Sequence, residues 1–149
     1  MGKKKEELKV VLDTNVLVSV LLFKKQTSKI VGLWKSRKII PVVSVETFDE
    51  FIRVLEYPRF ALSKDEIYLI IYREVLPFFE AVETKKDVKG VCKNPDDDKF
   101  LSCALSANAK FIVSGDKDLH RLQMYKSVRI IYPSELLENV SWQESRGQA

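Results

Sequence analysis

Four acidic residues stand where runs that read as β-strands give way to a turn or a helix: Asp13 in VVLDTN, Glu50 in SVETFDEF, Asp98 in NPDDDKFL and Asp116 in IVSGDKDL. If these strands form one parallel sheet, their carboxyl ends share an edge, and ligands of open α/β folds bind along that edge. Carboxylates gathered there repel one another unless a cation neutralises them, so the pattern points to a divalent metal. A ligand set made only of oxygen favours Mg²⁺ or Mn²⁺. Within these segments only Lys99 and Lys117 are basic.

Asp13 follows three apolar residues, Val10, Val11 and Leu12, and stands at the mouth of the sheet, where it also fits as a helix cap. Asn15, in the same turn, is suited to support it or to hold a water. Glu50 lies among Phe48, Phe51 and Ile52, and Glu46, one helical turn earlier, competes with it. The run Asp96, Asp97, Asp98 exceeds what a helix dipole asks for, since one or two acids complement it. Asp98 leads directly into KFLSCAL and reads as the most inward of the three. At Asp116, Gly115 permits a sharp turn after FIVS and Ser114 offers a hydroxyl, while Asp118 is an alternative helix cap.

Other chemistries lack their residues. His120 is the lone histidine and reads as a surface residue; Cys92 and Cys103 have no zinc-binding spacing and read as reduced thiols. The phosphate-cradling, dinucleotide and nucleophile-elbow glycine motifs are absent.

The elements that would position these acids follow from periodicity. Lys9 to Leu12 (KVVL) is a continuous apolar run, the mark of a central parallel strand, with a helix just after Asp13. Ser28 is placed to cap a second helix. IIPVV is the next strand, with Pro41 near a strand end or edge. Ser44 caps a helix that Pro58 closes, and Ser63 with Glu66 forms a capping box for SKDEIYLIIYREVL. PFFEAVE holds a short strand. A helix from Asn94 to Asp98 onward, strand FIVS, a short helix around Leu119 to Leu122, strand VRIIY and a helix from Ser134 complete the chain, with SWQESRGQA (141–149) a loose tail. Alternating strands and helices imply a parallel sheet with right-handed crossovers.

With 149 residues and 46% hydrophobic content, one domain spanning 1–149 is expected, its core at about 8–138. The net charge of +4 places surplus Lys and Arg away from the acids, an arrangement suited to a polyanion. Lys24, Lys25, Lys29, Arg53 and Arg59 are the candidates by nearness to the acidic motifs. Trp34, Phe60 and Tyr125 could stack on bases, although aromatics at helical spacing are more often core. No apolar run reaches the roughly 18 residues that span a bilayer. MGKKKEELK lacks a signal-peptide core, and Glu6 breaks the myristoylation pattern, so a cytoplasmic protein is expected.

Taken together, VVLDTNVLVSVLL, SVETFDEFIRVL and NPDDDKFLSCALSANAKFIVSGDKDL resemble the PIN domain, a small metal-dependent nuclease fold of toxin ribonucleases and RNA-processing enzymes. YPRF and SGDKDL look most like its toxin subgroup. The resemblance implies a three-layer α/β/α sandwich with a central parallel sheet of about five strands, and often a homodimer. It places an acidic quartet on Asp13, Glu50, Asp98 and Asp116, with Asn15 and Ser114 in support. It further implies cleavage of single-stranded RNA by water activated on one or two Mg²⁺ or Mn²⁺ ions, and a cognate antitoxin as partner. Two other readings are a non-catalytic RNA-binding or RNA-processing member of the family and a haloacid-dehalogenase-type phosphatase. The latter would need an acid where Asn15 stands.

Overall fold

The side chains of the first strand, β1 (Lys9–Leu12), divide between two cores. Val10 and Leu12 join one apolar cluster and Val11 the other, because successive strand residues point to opposite faces. β1 is thus covered on both sides. The computed structural model describes residues 7–147, with side chains described as far as residue 141. Glu6 with the basic start, and the last two residues, lie outside the described part.

After β1 the chain runs through α1 (Thr14–Leu22), α2 (Lys29–Lys35), β2 (Ile40–Val43), α3 (Val45–Leu55), α4 (Lys64–Leu69) and β3 (Glu80–Ala81). It continues through α5 (Asp98–Ala107), β4 (Phe111–Val113), α6 (Lys117–His120), β5 (Met124–Tyr125), β6 (Val128–Ile131) and α7 (Pro133–Gly147). The sheet order is β3-β2-β1-β4-β6-β5. Every pairing is parallel except the β5–β6 hairpin.

β4 repeats the alternation, with Phe111 and Val113 in the first core and Ile112 in the second. The first core is closed by α1, α2, α3 and α7 through Leu17, Trp34, Phe51, Leu55 and Leu136, and the second by α5 and α6 through Phe100, Leu101, Ala104 and Leu119. Burying each such Leu or Phe contributes about 1.5 to 3 kcal/mol. The result is the expected three-layer α/β/α sandwich, with six strands rather than about five. The additional strand, β5, reverses through Lys126 at φ 52°, a left-handed position that Gly or Asn usually fills in such turns.

Ser44 caps α3 and Ser63 caps α4, each in a reciprocal box, with Thr47 and Glu66 respectively. α4 continues as a π-helical run, Ile70–Val75. Pro41 sits second in β2, near a strand end as expected although β2 is not an edge strand, and its missing N–H costs nothing there. Ile40 donates toward β1, so position 41 faces the β3 side, and pairing with β3 starts only at Val42. Two expectations change. Ser28 does not cap α2; its hydroxyl accepts from Lys25 N–H at 3.0 Å and donates to the Phe23 carbonyl, tightening the turn before the helix. The segment read as a loose tail is helical to Gly147 as part of α7.

Candidate acidic active site

The parallel ladder sets the level at which the strands end. Leu12 lies level with Val113, and Val113 with Ile131. Pairing continues one residue further: Asp13 donates its N–H to the Val113 carbonyl at 3.0 Å and Ser114 to that of Ile131 at 2.9 Å. Asp13 and Ser114 therefore leave the sheet side by side. Asp13 caps α1, its Oδ1 accepting from Val16 N–H at 2.8 Å, and the nearby Ser114 hydroxyl favours its charged form. Capping and a place at the site are thus combined in one residue. Burial pushes the Asp13 carboxyl from 3.8 up to about 6, against these two interactions and with the help of the Asp116 and Glu50 charges.

Beside it, Ser114 Oγ accepts from Asp116 N–H at 3.0 Å, and Asp116 Oδ1 accepts from Asp118 N–H at 2.9 Å. Asp116, rather than Asp118, is therefore the cap of α6. Gly115 is not in a left-handed conformation, and a Cβ there would meet no atom within 4 Å. The turn does not require glycine. His120, read as a surface residue, is half-buried: its Nε2 lies 2.6 Å from the Ser114 carbonyl oxygen, and its ring stacks on Tyr132 at 3.6 Å. It braces the loop that carries Ser114 and Asp116.

The three consecutive aspartates take different places. Asn94 caps a 3₁₀ turn, Pro95–Asp97, accepting from Asp96 N–H at 3.1 Å. That turn brings Asp97 to the cleft. Burial, then the charges of Asp116, Asp13 and Glu50, raise the Asp97 carboxyl from 3.8 to about 6. Asp98, expected at the mouth, is placed elsewhere. Its carboxylate accepts from the N–H groups of Gly90 at 2.8 Å, Val91 at 3.3 Å and Cys92 at 2.8 Å. Burial alone would raise its carboxyl, but bonds from Cys92, Gly90 and Val91 prevail and hold it below the usual range. The most inward acid is thus the one whose charge the backbone has already taken up.

Glu50 reaches the cleft from α3, held by the Thr14 hydroxyl and by Lys99 Nζ at 2.6 Å. Its competitor Glu46 is exposed and accepts from Thr84 at 3.2 Å. Asp13, Glu50, Asp97 and Asp116 line a cleft of about 270 Å³ together with Asn15, Arg59 and, at its exposed margin, Asp96. Asp97, Thr14 and Lys99 complete a set that the sequence reading only partly named. A second groove of about 480 Å³ adjoins it, sharing Asp13, Asn15 and Asp116. Of the basic candidates, Arg59 lines the acidic cleft, whereas Lys24, Lys25, Lys29 and Arg53 line neither opening. The Arg59 guanidinium lies 4.8 Å from the Phe60 ring centre and 5.7 Å from that of Tyr57. Trp34 is core, its Nε1 donating to the Glu74 carbonyl at 2.9 Å.

Among the described residues no three Asp, Glu, His or Cys side chains lie close enough to hold an ion as they stand. Glu50 is tied to Lys99 and Thr14, and Asp98 is turned away. The donor set nonetheless fits a hard divalent cation in its chemistry: all four donors are carboxylates, and Asp13 and Asp97 are held above their ordinary range partly by the charges of the others.

A family model described as PIN domain matches residues 9–118, from β1 to just past Asp116. No curated protein matches the chain. Among solved structures it is similar to FitAcB from Neisseria gonorrhoeae, at 16% identity over 83% of this chain and 97% of that one, with a TM-score of 0.55. It is also similar to the PIN domain endonuclease Utp24, at 18% identity over 82% of each chain, with a TM-score of 0.49. At such identity the FitAcB likeness is one of fold.

Proposed function

The chain belongs to the PIN domain family, and from that premise we propose that it is a metal-dependent endoribonuclease acting on single-stranded RNA with Mg²⁺ or Mn²⁺. The observation that carries this reading is the facing of Asp13, Glu50, Asp97 and Asp116 across one cleft, each of the other three charges raising the Asp97 carboxyl. In this proposal those four carboxylates are the metal ligands, with Asn15 and Ser114 in support. Asp98 passes from the catalytic set to a structural role.

A divalent cation bound there would neutralise phosphate charge and lower the pKa of water. The chain's own residues provide the frame. Asp13 is fixed by Val16 N–H and by its own N–H on the Val113 carbonyl, and Asp116 by Ser114 and its cap of α6. Lys99 and Thr14 hold Glu50 at the rim. Arg59, lying over two aromatic rings, presents a positive charge to a substrate phosphate. Ser114 is fully buried and its hydroxyl already accepts from Asp116 N–H, which supports attack by water rather than by a serine.

The reading extends to a cytoplasmic toxin held by a cognate antitoxin, following the sequence resemblance, and to a homodimer. Exposed Tyr68, Leu69 and Tyr72, on α4 and its π-helical continuation, with Leu76 just after it, offer an apolar surface for a second copy. Among the described residues no helix is long and apolar enough to cross a membrane. The test is incubation of labelled RNA and DNA oligonucleotides with the protein in Mg²⁺, Mn²⁺ or EDTA. Cleavage of RNA with either metal and not in EDTA is expected; equal cleavage in EDTA, or none in any condition, would refute the assignment.

A further inference from the structure

The acidic cleft and the larger groove beside it share Asp13, Asn15 and Asp116, but their other walls differ in kind. The cleft adds Glu50, Asp97, Arg59 and Asn94. The groove adds Val16, Val20 and Pro133, with the hydroxyl-bearing Ser19 and Thr27, and no basic residue lines it. Val16 and Val20 are one helical turn apart on α1; both belong to the core, 6% and 4% exposed, and their outer edges form a narrow apolar strip along the groove, with Ser19 on the same side. Thr27 faces them from the turn Gln26–Ser28, which Ser28 fixes by accepting from Lys25 N–H at 3.0 Å and donating to the Phe23 carbonyl. The groove is therefore preformed on both sides.

A strand whose phosphate lies over the acids brings its neighbouring nucleotides within reach of both openings, which share Asp13, Asn15 and Asp116. The groove offers no cation to a phosphate, and a sugar would leave its apolar strip unused. A base has an apolar face and a polar edge, which match that strip and the two hydroxyls. We infer that the groove formed by Val16, Val20 and Pro133, with Ser19 and Thr27, is a nucleobase subsite for the nucleotide beside the scissile phosphate. This rests on the proposed RNA substrate. Hydroxyls rotate and both donate and accept, so the subsite requires a base without selecting one base strongly.

The experiment uses the full chain and a labelled 12-nucleotide oligouridylate, with a series in which one abasic residue is moved along the strand. Affinity is followed by fluorescence anisotropy in EDTA, and cleavage in Mg²⁺ or Mn²⁺. Loss of one base is expected to weaken binding about tenfold at a single position, equivalent to about 1.4 kcal/mol. Ser19→Trp and Thr27→Trp, which fill the groove from opposite walls, should weaken the intact oligouridylate about as much and leave the affinity for that abasic strand unchanged. Thermal melting identifies any variant that fails to fold, and the abasic series on the unaltered protein stands without either. Equal affinity for every abasic strand, no binding at all, or equal loss of intact and abasic strands in both folded variants would overturn the subsite. If base dependence and its coupling to position 19 or 27 hold but no RNA is cut, the nuclease reading fails and the subsite stands. If RNA is cut with the same KM at every abasic position, the subsite fails and the nuclease reading stands.

Discussion

Asp97 and Asp98 are one peptide apart and carry their charge in opposite circumstances. Asp97 faces three other carboxylates, and its carboxyl is raised to about 6. Asp98 faces three backbone N–H groups from residues 90–92 and is held below its ordinary range. A carboxylate supplied with backbone donors is a structural tie, whereas one crowded by like charges is stable only when a cation or a proton joins it.

The two positions should therefore separate stability from activity. Asp98→Asn replaces one of the two accepting oxygens with an amide NH2, which sets a donor against at least one of the buried N–H groups of residues 90–92, and should cost about 2 kcal/mol, lowering Tm by roughly 4 to 8 °C in a chain of this size. Asp97→Asn removes repulsion, so without metal it should melt at or above the temperature of the unaltered protein. Melting curves of both variants in EDTA at pH 7 decide this.

The metal-free protein should lose stability as pH rises from about 4.5 to 6. Asp13 and Asp97 have folded-state carboxyls raised from 3.8 to about 6, so the folded chain binds more protons than the unfolded one across that window. Asp98 and Glu66 are lowered and act the other way, but their windows lie below 3.8 and 4.5 respectively. For buried Asp13 the loss approaches about 3 kcal/mol. Denaturant titrations in EDTA at steps from pH 4.5 to 7.5 should show the decline; Asp13→Asn should flatten it, and Mg²⁺ or Mn²⁺ at pH 7 should restore stability. A stability that rises across the window would refute the crowding of these acids.

Much of this architecture is legible from residue patterns. KVVL and FIV are short apolar runs buried on both faces, and Ser44 and Ser63 have their capping partners three residues on, so local rules suffice. β5 escapes because its turn uses Lys126 in a left-handed conformation, without the Gly or Asn that would announce a hairpin. The choice between Asp97 and Asp98 escapes for a different reason. The donors that claim Asp98 come from Gly90, Val91 and Cys92, in a loop with no periodicity, and nothing local says that this loop folds back on α5. The one available signal is Asn94-Pro95, which starts a 3₁₀ turn and shifts which acid reaches the sheet edge. His120 is similar: its partners Ser114 and Tyr132 meet it only through the fold.

Lys99 should tune the site through Glu50. Their ion pair is mostly buried, with side chains 17% and 23% exposed, so Lys99→Met leaves an uncompensated charge beside the other acids. A loss of about 1 to 2 kcal/mol without metal is expected. Because that added repulsion is what a cation relieves, the rise in Tm on adding Mg²⁺ should be larger in Lys99→Met than in the unaltered protein, and smaller in Glu50→Gln. A rise of equal size in all three would show that Glu50 does not face the metal.

Product ends should follow from the metal-site reading and from the lack of a free imidazole at the cleft. His120 is the chain's one imidazole, and it is committed to the Ser114 carbonyl and the Tyr132 ring. Attack by the RNA's own 2′-hydroxyl is usually helped by positioned acid and base groups. Fragments with a 5′ phosphate and a 3′ hydroxyl are expected, and a substrate with a 2′-deoxy nucleotide at the scissile position should still be cut. Mass spectrometry that finds a 2′,3′-cyclic phosphate would overturn this mechanism.

The most direct measurement is the cleavage rate of a single-stranded RNA in Mn²⁺ by the unaltered protein, Asp97→Asn and Asp98→Asn, at a temperature where all three are folded. Loss of an outer partner of a metal site costs about 10- to 100-fold, so loss of a ligand should exceed that. The account predicts that Asp97→Asn falls by more than about 100-fold while folded Asp98→Asn cuts at close to the unaltered rate. Full activity in Asp97→Asn, or its loss in folded Asp98→Asn, would contradict it.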